Sequence, residues 1–306
     1  MSLERYPWLA PLWQQLLGQL RQGRLPQGLL LTGPTGVGKV ALARQLAQRW
    51  LCKGDDELPC GRCQSCQLWA AGTHPDFRLL KPEDNGRIGI DEVRSLQQQL
   101  ATTAYLGGRR VVVIENAAQM TDNAANALLK TLEEPPSGTL LLLTAARRES
   151  LLATIISRCQ HWPLPHPDSG AVLALIDATT AEGVELSALC AHAPLMVLAL
   201  LAQPQWLPVA TAFLQWRRDG RHSGALAELL IKQGPAVAAM LWQLAAAEWP
   251  LATRGAALEL LARTAAALQL PGRNLSLAIH QLLADLAPLR QRSATHPATG
   301  VSPWVR

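Results

Sequence analysis

The chain has 306 residues, enough for two or three domains with separate hydrophobic cores. Apolar residues make up 49% of the sequence without a run long enough to cross a membrane, and no secretory signal is apparent, so we expect a soluble, cytoplasmic protein. The net charge of +5 permits contact with nucleic acid but is too small to indicate it.

The first half of the chain alternates short apolar strands with amphipathic helices. Most of the strands are continuous apolar runs, as is typical of a parallel sheet that helices cover on both faces. Helical stripes such as Ala43, Leu46 and Trp50 separate them, and Thr121 suits the N-cap of a helix that Pro135 ends. We predict one α/β domain over residues 1–165, with parallel strands at 29–32, 77–80, 111–114, 140–144 and 159–164.

From residue 166 onward the sequence is rich in Leu and Ala and predicts only helices. We expect a small helical domain over 166–204 and a second helical domain over 205–290. Residues 291–306 are rich in Ser, Thr, Pro and Gly and are expected to form a disordered tail. Tryptophans such as Trp216 and Trp249 are expected to pack in a core or between subunits. The predicted fold class is α/β plus all-α.

A glycine-rich loop joins the first strand to the following helix. It contains Gly33, Gly36, Gly38 and Lys39 with the spacing and context of a P-loop. Backbone N–H groups of such a loop bind phosphate oxygens, and Lys39 would reach the β- and γ-phosphates. The next position normally carries Ser or Thr, whose hydroxyl binds Mg²⁺, but this chain has Val40. The loop therefore predicts a phosphate site that lacks one magnesium ligand.

The third strand is followed by Glu115 and Asn116, where an ATPase carries the carboxylates that hold Mg²⁺ and polarise the attacking water. Glu115 can still assist a metal ion. Asn116 cannot serve as a general base, because an amide is not usefully basic near neutral pH. We expect hydrolysis to be absent or negligible, since phosphoryl transfer depends on positioning and electrostatics. Binding of ATP or ADP without hydrolysis stays open.

Four cysteines, Cys52, Cys60, Cys63 and Cys66, lie between the phosphate-loop helix and the second strand. Two Cys-x2-Cys steps allow a short loop to wrap a tetrahedral ion, and four thiolates would close the coordination sphere of a structural Zn²⁺. An iron–sulfur cluster has the same ligands and stays an alternative, whereas a redox pair would not account for four cysteines. Nearby His74 is expected to be a structural residue rather than a fifth ligand.

Arg158 lies between the fourth and fifth strands, in the sequence Ser157-Arg158-Cys159. A lone arginine is most often a solvated surface residue. The alternative is an arginine finger, a guanidinium that stabilises the negative charge on the γ-phosphate of ATP bound to another subunit. The tripeptide by itself does not decide between these two roles.

These features together resemble the delta-prime family of clamp-loader subunits of bacterial DNA polymerase III. The degenerate ATPase site favours delta-prime over a motor subunit, and the resemblance extends from residue 1 to about residue 165. Beyond that point only the helical character matches. The resemblance is carried by Tyr6-Pro7-Trp8-Leu9, the phosphate loop, the four cysteines, the run from Gly72 to Asp76, the run from Asn126 to Pro136, and Ser157-Arg158-Cys159.

The resemblance implies an AAA+ fold, in which the P-loop domain with its zinc module at 52–66 precedes a helical lid (166–204) and a helical collar (205–290). The collar would join five subunits in a ring. Arg158 would then act in trans on a gamma/tau subunit, and the other implied partners are the delta subunit, the sliding clamp and primed DNA. The implied role is a non-motor subunit of a DNA-directed DNA polymerase holoenzyme, without ATPase activity of its own.

Two other functions stay open. An active motor ATPase of the same complex would have to hydrolyse ATP despite Val40 and Asn116. A zinc-ribbon protein that binds nucleic acid would need cationic and aromatic residues interleaved with its cysteines. Between Cys52 and Cys66 the sequence has only Lys53 and Arg62 as cations and no aromatic residue, which disfavours that function.

Overall fold

The computed structural model describes residues 6–54, 56–82, 86–106, 108–176, 180–190, 194–220, 223–233, 241, 244–245, 249, 251–268 and 274–294. The chain divides into two compact units, Met1–His166 and Pro167–Arg306. The first unit is α/β, and the second is helical over its described residues. Within the described ranges, no helix combines the length and the apolar character needed to cross a bilayer.

A sheet of parallel strands forms the centre of the first unit. The strands are β1 (Gly28–Thr32), β2 (Phe77–Leu80), β3 (Arg110–Ile114), β4 (Thr139–Ala145) and β5 (Gln160–Pro163). Their order is β2-β3-β4-β1-β5, and every neighbouring pair is parallel. The carboxyl ends of all five strands therefore lie at one edge of the sheet, and their amino ends lie at the other.

Helices connect the strands of the first unit. Local signals in the sequence set the ends of these helices, as the helix after β3 shows. At its start the hydroxyl of Thr121 accepts a hydrogen bond from the N–H of Ala124 (3.3 Å), and Pro135 follows its end. The helices are α1 (Ala10–Arg21), α2 (Lys39–Leu51), α3 (Gln64–Ala70), α4 (Ile90–Leu100), α5 (Asp122–Glu133) and α6 (Ala153–Ile156).

Both faces of the sheet are buried. Successive side chains of a strand point to opposite faces, so Leu29 and Leu31 join one apolar cluster while Leu30 joins the other. The first cluster includes side chains of α1 and α2, such as Leu46, and the second includes side chains of α4 and α5, such as Leu128. Because both faces are covered, the central strands β1, β3 and β4 are almost entirely apolar rather than alternating, whereas the edge strands β2 and β5 include polar residues such as Arg78 and His161.

The second unit consists of helices around an aromatic core. The ring of Phe213 is fully buried, and its centroid lies 5.8 Å from those of Trp216 and Trp249. These two tryptophans are therefore core residues, as expected. The helices are α7 (Ser169–Leu173), α8 (Ala181–Cys190), α9 (Pro194–Leu201), α10 (Leu207–Asp219), α11 (Ser223–Gln233), α12 (Leu251–Leu268) and α13 (Leu275–Ala294).

The predicted parallel five-stranded sheet and the helical second half are confirmed. The predicted start of the tail at residue 291 is wrong, because α13 continues to Ala294. Gln, Arg and Ala are good helix formers, so the sequence carries no stop signal at that point. The remainder of the predicted tail, 295–306, lies outside the described residues. The division of the second unit into a lid (166–204) and a collar (205–290) stays a prediction.

Candidate functional site

The phosphate loop lies between β1 and α2. Gly33 donates its N–H to the carbonyl oxygen of Ala145 at the end of β4 (3.3 Å), and α2 begins at Lys39. Gly38 has a φ of 99°, a left-handed conformation that side chains rarely adopt. A Cβ atom at Gly38 would also lie 2.8 Å from Cδ1 of Leu9. Backbone conformation and close packing therefore both require glycine at this position.

Lys39 folds back onto its own loop. Its Nζ atom donates hydrogen bonds to the carbonyl oxygens of Gly33 (2.6 Å) and Pro34 (2.7 Å). Burial lowers the pKa of Lys39 from 10.5 to about 8, because the ammonium group loses hydration. A phosphate oxygen could replace these two acceptors and supply a counter-charge.

An aromatic segment before α1 covers the loop. The indole Nε1 of Trp8 donates a hydrogen bond to the carbonyl oxygen of Val37 (3.0 Å). Tyr6 packs edge-on against Trp8, with ring centroids 5.6 Å apart, and its ring would lie 2.9 Å from a Cβ atom on Gly38. These contacts fix the second half of the phosphate loop against the N-terminal segment.

The carboxyl ends of β3 and β4 lie at the same edge of the sheet as the loop. The buried hydroxyl of Thr144 accepts a hydrogen bond from the N–H of Asn116 (3.0 Å), whose φ of 50° is a left-handed value that asparagine tolerates. The carboxylate of Glu115 lies 3.9 Å from Nε of Arg44 on α2. Glu115 therefore lies on the same edge as the phosphate loop, where Val40 offers no magnesium ligand and Asn116 offers no base.

The four clustered cysteines converge on one point. Their Sγ atoms all lie within 4.8 Å of one another. Cys52 follows the last residue of α2, Cys63 is the N-cap of α3, and Cys66 lies in the first turn of α3. Four sulfurs at about 2.3 Å from a tetrahedral ion are separated by about 3.8 Å. A small contraction would therefore close this group around a single ion, and the cluster could hold a metal ion.

Backbone N–H groups stabilise the thiolates of this cluster. The N–H of Cys60 lies 3.3 Å from Sγ of Cys52. Burial opposes ionisation of Cys63, but hydrogen bonds from the N–H groups of Lys53 and Cys66 and from the side chains of Cys66 and Cys60 together lower the pKa of Cys63 to about 6. Burial raises the pKa of Cys66 to about 12. A bound cation would supply the positive charge that the Cys66 thiolate needs.

A buried polar chain connects α3, which carries Cys66, to the sheet. Nδ1 of His74 accepts the N–H of Asp76 (3.1 Å), so Nε2 carries the proton and donates to the hydroxyl of Ser65 (2.8 Å). The carboxylate of Asp76 accepts the N–H groups of Tyr105 and Leu106, both at 2.8 Å. Burial lowers the pKa of His74, which keeps the imidazole neutral. These are the contacts of a structural residue.

Arg158 lies at the opposite edge of the sheet from the phosphate loop. Its carbonyl oxygen faces the start of β1, where a Cβ atom on Gly28 would approach it to 3.1 Å. The four residue steps of β1 separate this edge from the loop by roughly 13 Å. The guanidinium donates from Nη1 to the carbonyl oxygen of Thr154 (2.9 Å) and from Nη2 to the carboxylate of Glu133. In this arrangement Arg158 does not approach its own phosphate loop.

The structure thus brings Gly33, Gly36, Gly38, Lys39 and Glu115 to one edge of the sheet, gathers the four cysteines, and keeps Arg158 apart.

Sequence reasoning assigned no role to Glu133 or Arg44. Glu133 is the last residue of α5, where the helix dipole disfavours a carboxylate unless a cation compensates for it. The sequence therefore does contain a signal that Glu133 needs a cationic partner. The contact of Arg44 with Glu115 joins α2 to β3 and leaves no such signal in the sequence.

The fold and the site define a P-loop protein with a parallel five-stranded sheet, in which Val40 and Asn116 stand where a magnesium ligand and a general base would be needed for hydrolysis. The family described as DNA polymerase III, delta subunit, matches residues 9–168, which is more than half of the chain. The chain therefore belongs to the delta-prime family of bacterial DNA polymerase III subunits, which confirms the resemblance found in the sequence.

Individual relatives agree with this family. The DNA polymerase III subunit delta' of Haemophilus influenzae is 40% identical over 163 residues, which are 53% of this chain and 50% of that protein. The Yersinia pestis protein of the same name is 36% identical over 236 residues, 74% of this chain and 69% of that protein. The match thus spans between half and about two-thirds of these relatives' length.

A solved structure shares the fold. The crystal structure of a DNA polymerase III gamma subunit-related protein from Thermotoga maritima superposes with a TM-score of 0.59 at 19% identity, covering 91% of this chain and 99% of that chain. At this identity the likeness establishes the fold alone.

Proposed function

We propose that this chain is a non-motor subunit of the DNA polymerase III clamp loader, which supplies Arg158 in trans to a neighbour's ATP site. In this role it helps to load the sliding clamp onto primed DNA during replication. The observation that carries the proposal is that the phosphate loop and Arg158 lie at opposite edges of one sheet. An arginine that is partly exposed and remote from its own nucleotide site is suited to act on the nucleotide of another subunit.

The chain's own phosphate site is proposed to bind ATP or ADP without hydrolysing it. Gly33, Gly36, Gly38 and Lys39 supply the phosphate contacts, and Glu115 is available to assist a metal ion. Hydrolysis would need both a complete magnesium site and a group that polarises water. The intact lysine loop is the feature that favours the second candidate function, an active motor ATPase of the same complex.

The metal is proposed to be a structural Zn²⁺ held by Cys52, Cys60, Cys63 and Cys66. The mutual spacing of the sulfurs, within 4.8 Å, suits one ion, whereas the ligands of a multi-iron cluster lie farther apart. Four protein ligands leave no open position for a substrate. The ion would tie the end of α2 to the start of α3 and neutralise the thiolates.

The proposed partners are the gamma/tau and delta subunits in a hetero-pentamer, together with the clamp. Family membership supports this assembly. Residues 166–204 are proposed as the lid and residues 205–290 as the collar that joins the subunits. Contact with primed DNA would be made through the assembled ring, and the proposed location is the cytoplasm.

The test is the ATPase activity of the reconstituted loader, stimulated by DNA and clamp, with wild-type chain and with Arg158→Ala. We expect no turnover by the isolated chain. At the site that receives the arginine, turnover should fall by about 10³-fold or more, since an arginine finger contributes about that much. The total turnover of the loader should fall by the fraction that this one site contributes, or by more if the ATP sites of the loader act in concert.

Arg147→Ala is the matched control, because it removes an exposed arginine from the same unit. Assembly of each variant is checked by size-exclusion chromatography. Turnover by the isolated chain, or a normally active Arg158→Ala complex with assembly intact, would contradict the proposal and favour the motor function.

A further inference from the structure

We propose that Glu133 is a positioning residue, which orients the Arg158 guanidinium toward the γ-phosphate bound to the neighbouring subunit. This inference rests on the proposed function of Arg158 as a trans-acting finger. It adds a second residue of this chain to the ATP site that the two subunits would form together. This second residue does not itself touch the nucleotide.

Two elements hold the guanidinium from different sides. Nη2 forms an ion pair with the carboxylate of Glu133 on α5. Nη1 donates to the carbonyl oxygen of Thr154 on α6 (2.9 Å) and lies 3.3 Å from the hydroxyl of Ser157. Because a guanidinium is planar, anchors on two of its nitrogens fix the direction of the whole group. An arginine without these anchors would sample many rotamers.

The anchor on α5 is itself fixed by the core. Leu132, the neighbour of Glu133, is 7% exposed, and its Cδ2 atom would lie 3.6 Å from a Cβ atom on Gly28. The carbonyl oxygen of Arg158 approaches the same position to 3.1 Å. The segments that carry the carboxylate and the arginine therefore both pack against the start of β1. The sheet, rather than a mobile loop, fixes their relative position.

The location of Glu133 points to a role in orientation rather than in stability. A carboxylate at the last residue of a helix is disfavoured by the helix dipole, and Arg158 compensates for this. The exposed fractions of the two side chains are 32% for Arg158 and 49% for Glu133. An ion pair this exposed adds little to stability, so its loss should change catalysis far more than folding.

The experiment is a double-mutant cycle in the reconstituted loader, with kcat and KM for ATP measured separately. Glu133→Ala should lower turnover at the site that receives Arg158 by about 10-fold, since a misdirected catalytic group loses about one to two orders of magnitude. The total kcat of the loader should therefore fall, but by no more than it does in Arg158→Ala. KM for ATP should stay unchanged, because the neighbouring subunit binds the nucleotide. Glu133→Gln should restore most of the activity, because its amide oxygen still accepts from Nη2. Combined with Arg158→Ala, Glu133→Ala should cause no further loss.

Glu134→Ala is the matched control, since it removes the same charge from the adjacent exposed position. Urea denaturation and size-exclusion chromatography check folding and assembly, and Glu133→Asp, which shortens the reach of the carboxylate, is a second perturbation. The inference is overturned if Glu133→Ala behaves like Glu134→Ala, or if its effect persists beside Arg158→Ala. Full activity of Arg158→Ala alone would instead remove the proposed function on which the inference rests.

Discussion

Replacing His74 by Ala tests how α3, the helix that carries Cys66, is held to the sheet. The imidazole is 5% exposed and joins the hydroxyl of Ser65 (2.8 Å) to the N–H of Asp76 (3.1 Å). Its removal leaves two buried polar groups without partners, each costing about 1–3 kcal/mol. We expect the free energy of unfolding of the first unit to fall by at least about 2 kcal/mol, because the lost packing of the ring adds to the cost of these two groups.

The measurement is urea denaturation of the metal-loaded chain, analysed for the transition of the first unit. Ser65→Ala should cost only about 1–2 kcal/mol, because it removes one partner of a single hydrogen bond. The double variant should cost less than the sum, since the two residues share that bond. Hydrogen exchange at Tyr105 and Leu106, whose N–H groups Asp76 binds, should speed up in His74→Ala. A loss below about 1 kcal/mol, or strict additivity, would refute the reasoning.

Two further outcomes follow from the ionisable groups of the sites. Chelation of the metal should release Cys60 and Cys63 as rapidly reacting thiols in a thiol titration, because hydrogen bonds lower the pKa of both groups, that of Cys63 to about 6. Cys66, Cys159 and Cys190 should react slowly, because burial raises the pKa of each of these thiols; no increase in rapidly reacting thiols would argue against a bound ion. ADP binding, followed by fluorescence anisotropy, should weaken by up to about tenfold per pH unit above pH 8, because Lys39 has a pKa of about 8 and loses its charge there. Lys39→Ala should bind more weakly and lose this pH dependence, and an unchanged pH profile in Lys39→Ala would contradict the assignment.

Several features of the protein follow from its sequence alone. Unbroken apolar runs predict strands that are buried on both faces, and the central strands β1, β3 and β4 lie where these runs are. Thr121 caps a helix as its position predicts. The chemistry missing from the ATPase site is also a sequence property, because Val40 and Asn116 lack the required groups whatever their surroundings.

Other features depend on residues that are distant in the sequence and meet only in the fold. The parallel direction of the strands decides that Lys39 and Glu115 share one edge while Arg158 lies at the other, and the order of the strands decides how far apart these residues lie along each edge. The tripeptide around Arg158 could not distinguish a surface residue from a finger, since the distinction depends on its distance from the phosphate loop.

The partners of individual side chains were likewise decided by tertiary structure. Spacing suggested that the cysteines share an ion, but only the folded loop brings their sulfurs within 4.8 Å. Glu133 lies 25 positions from Arg158, and Arg44 is far from Glu115 in sequence. Local sequence fixes the chemical identity of each group and the conformation of its own segment. The packing of helices on the sheet fixes which groups meet, because it sets the register and crossing of elements that short-range propensities do not specify.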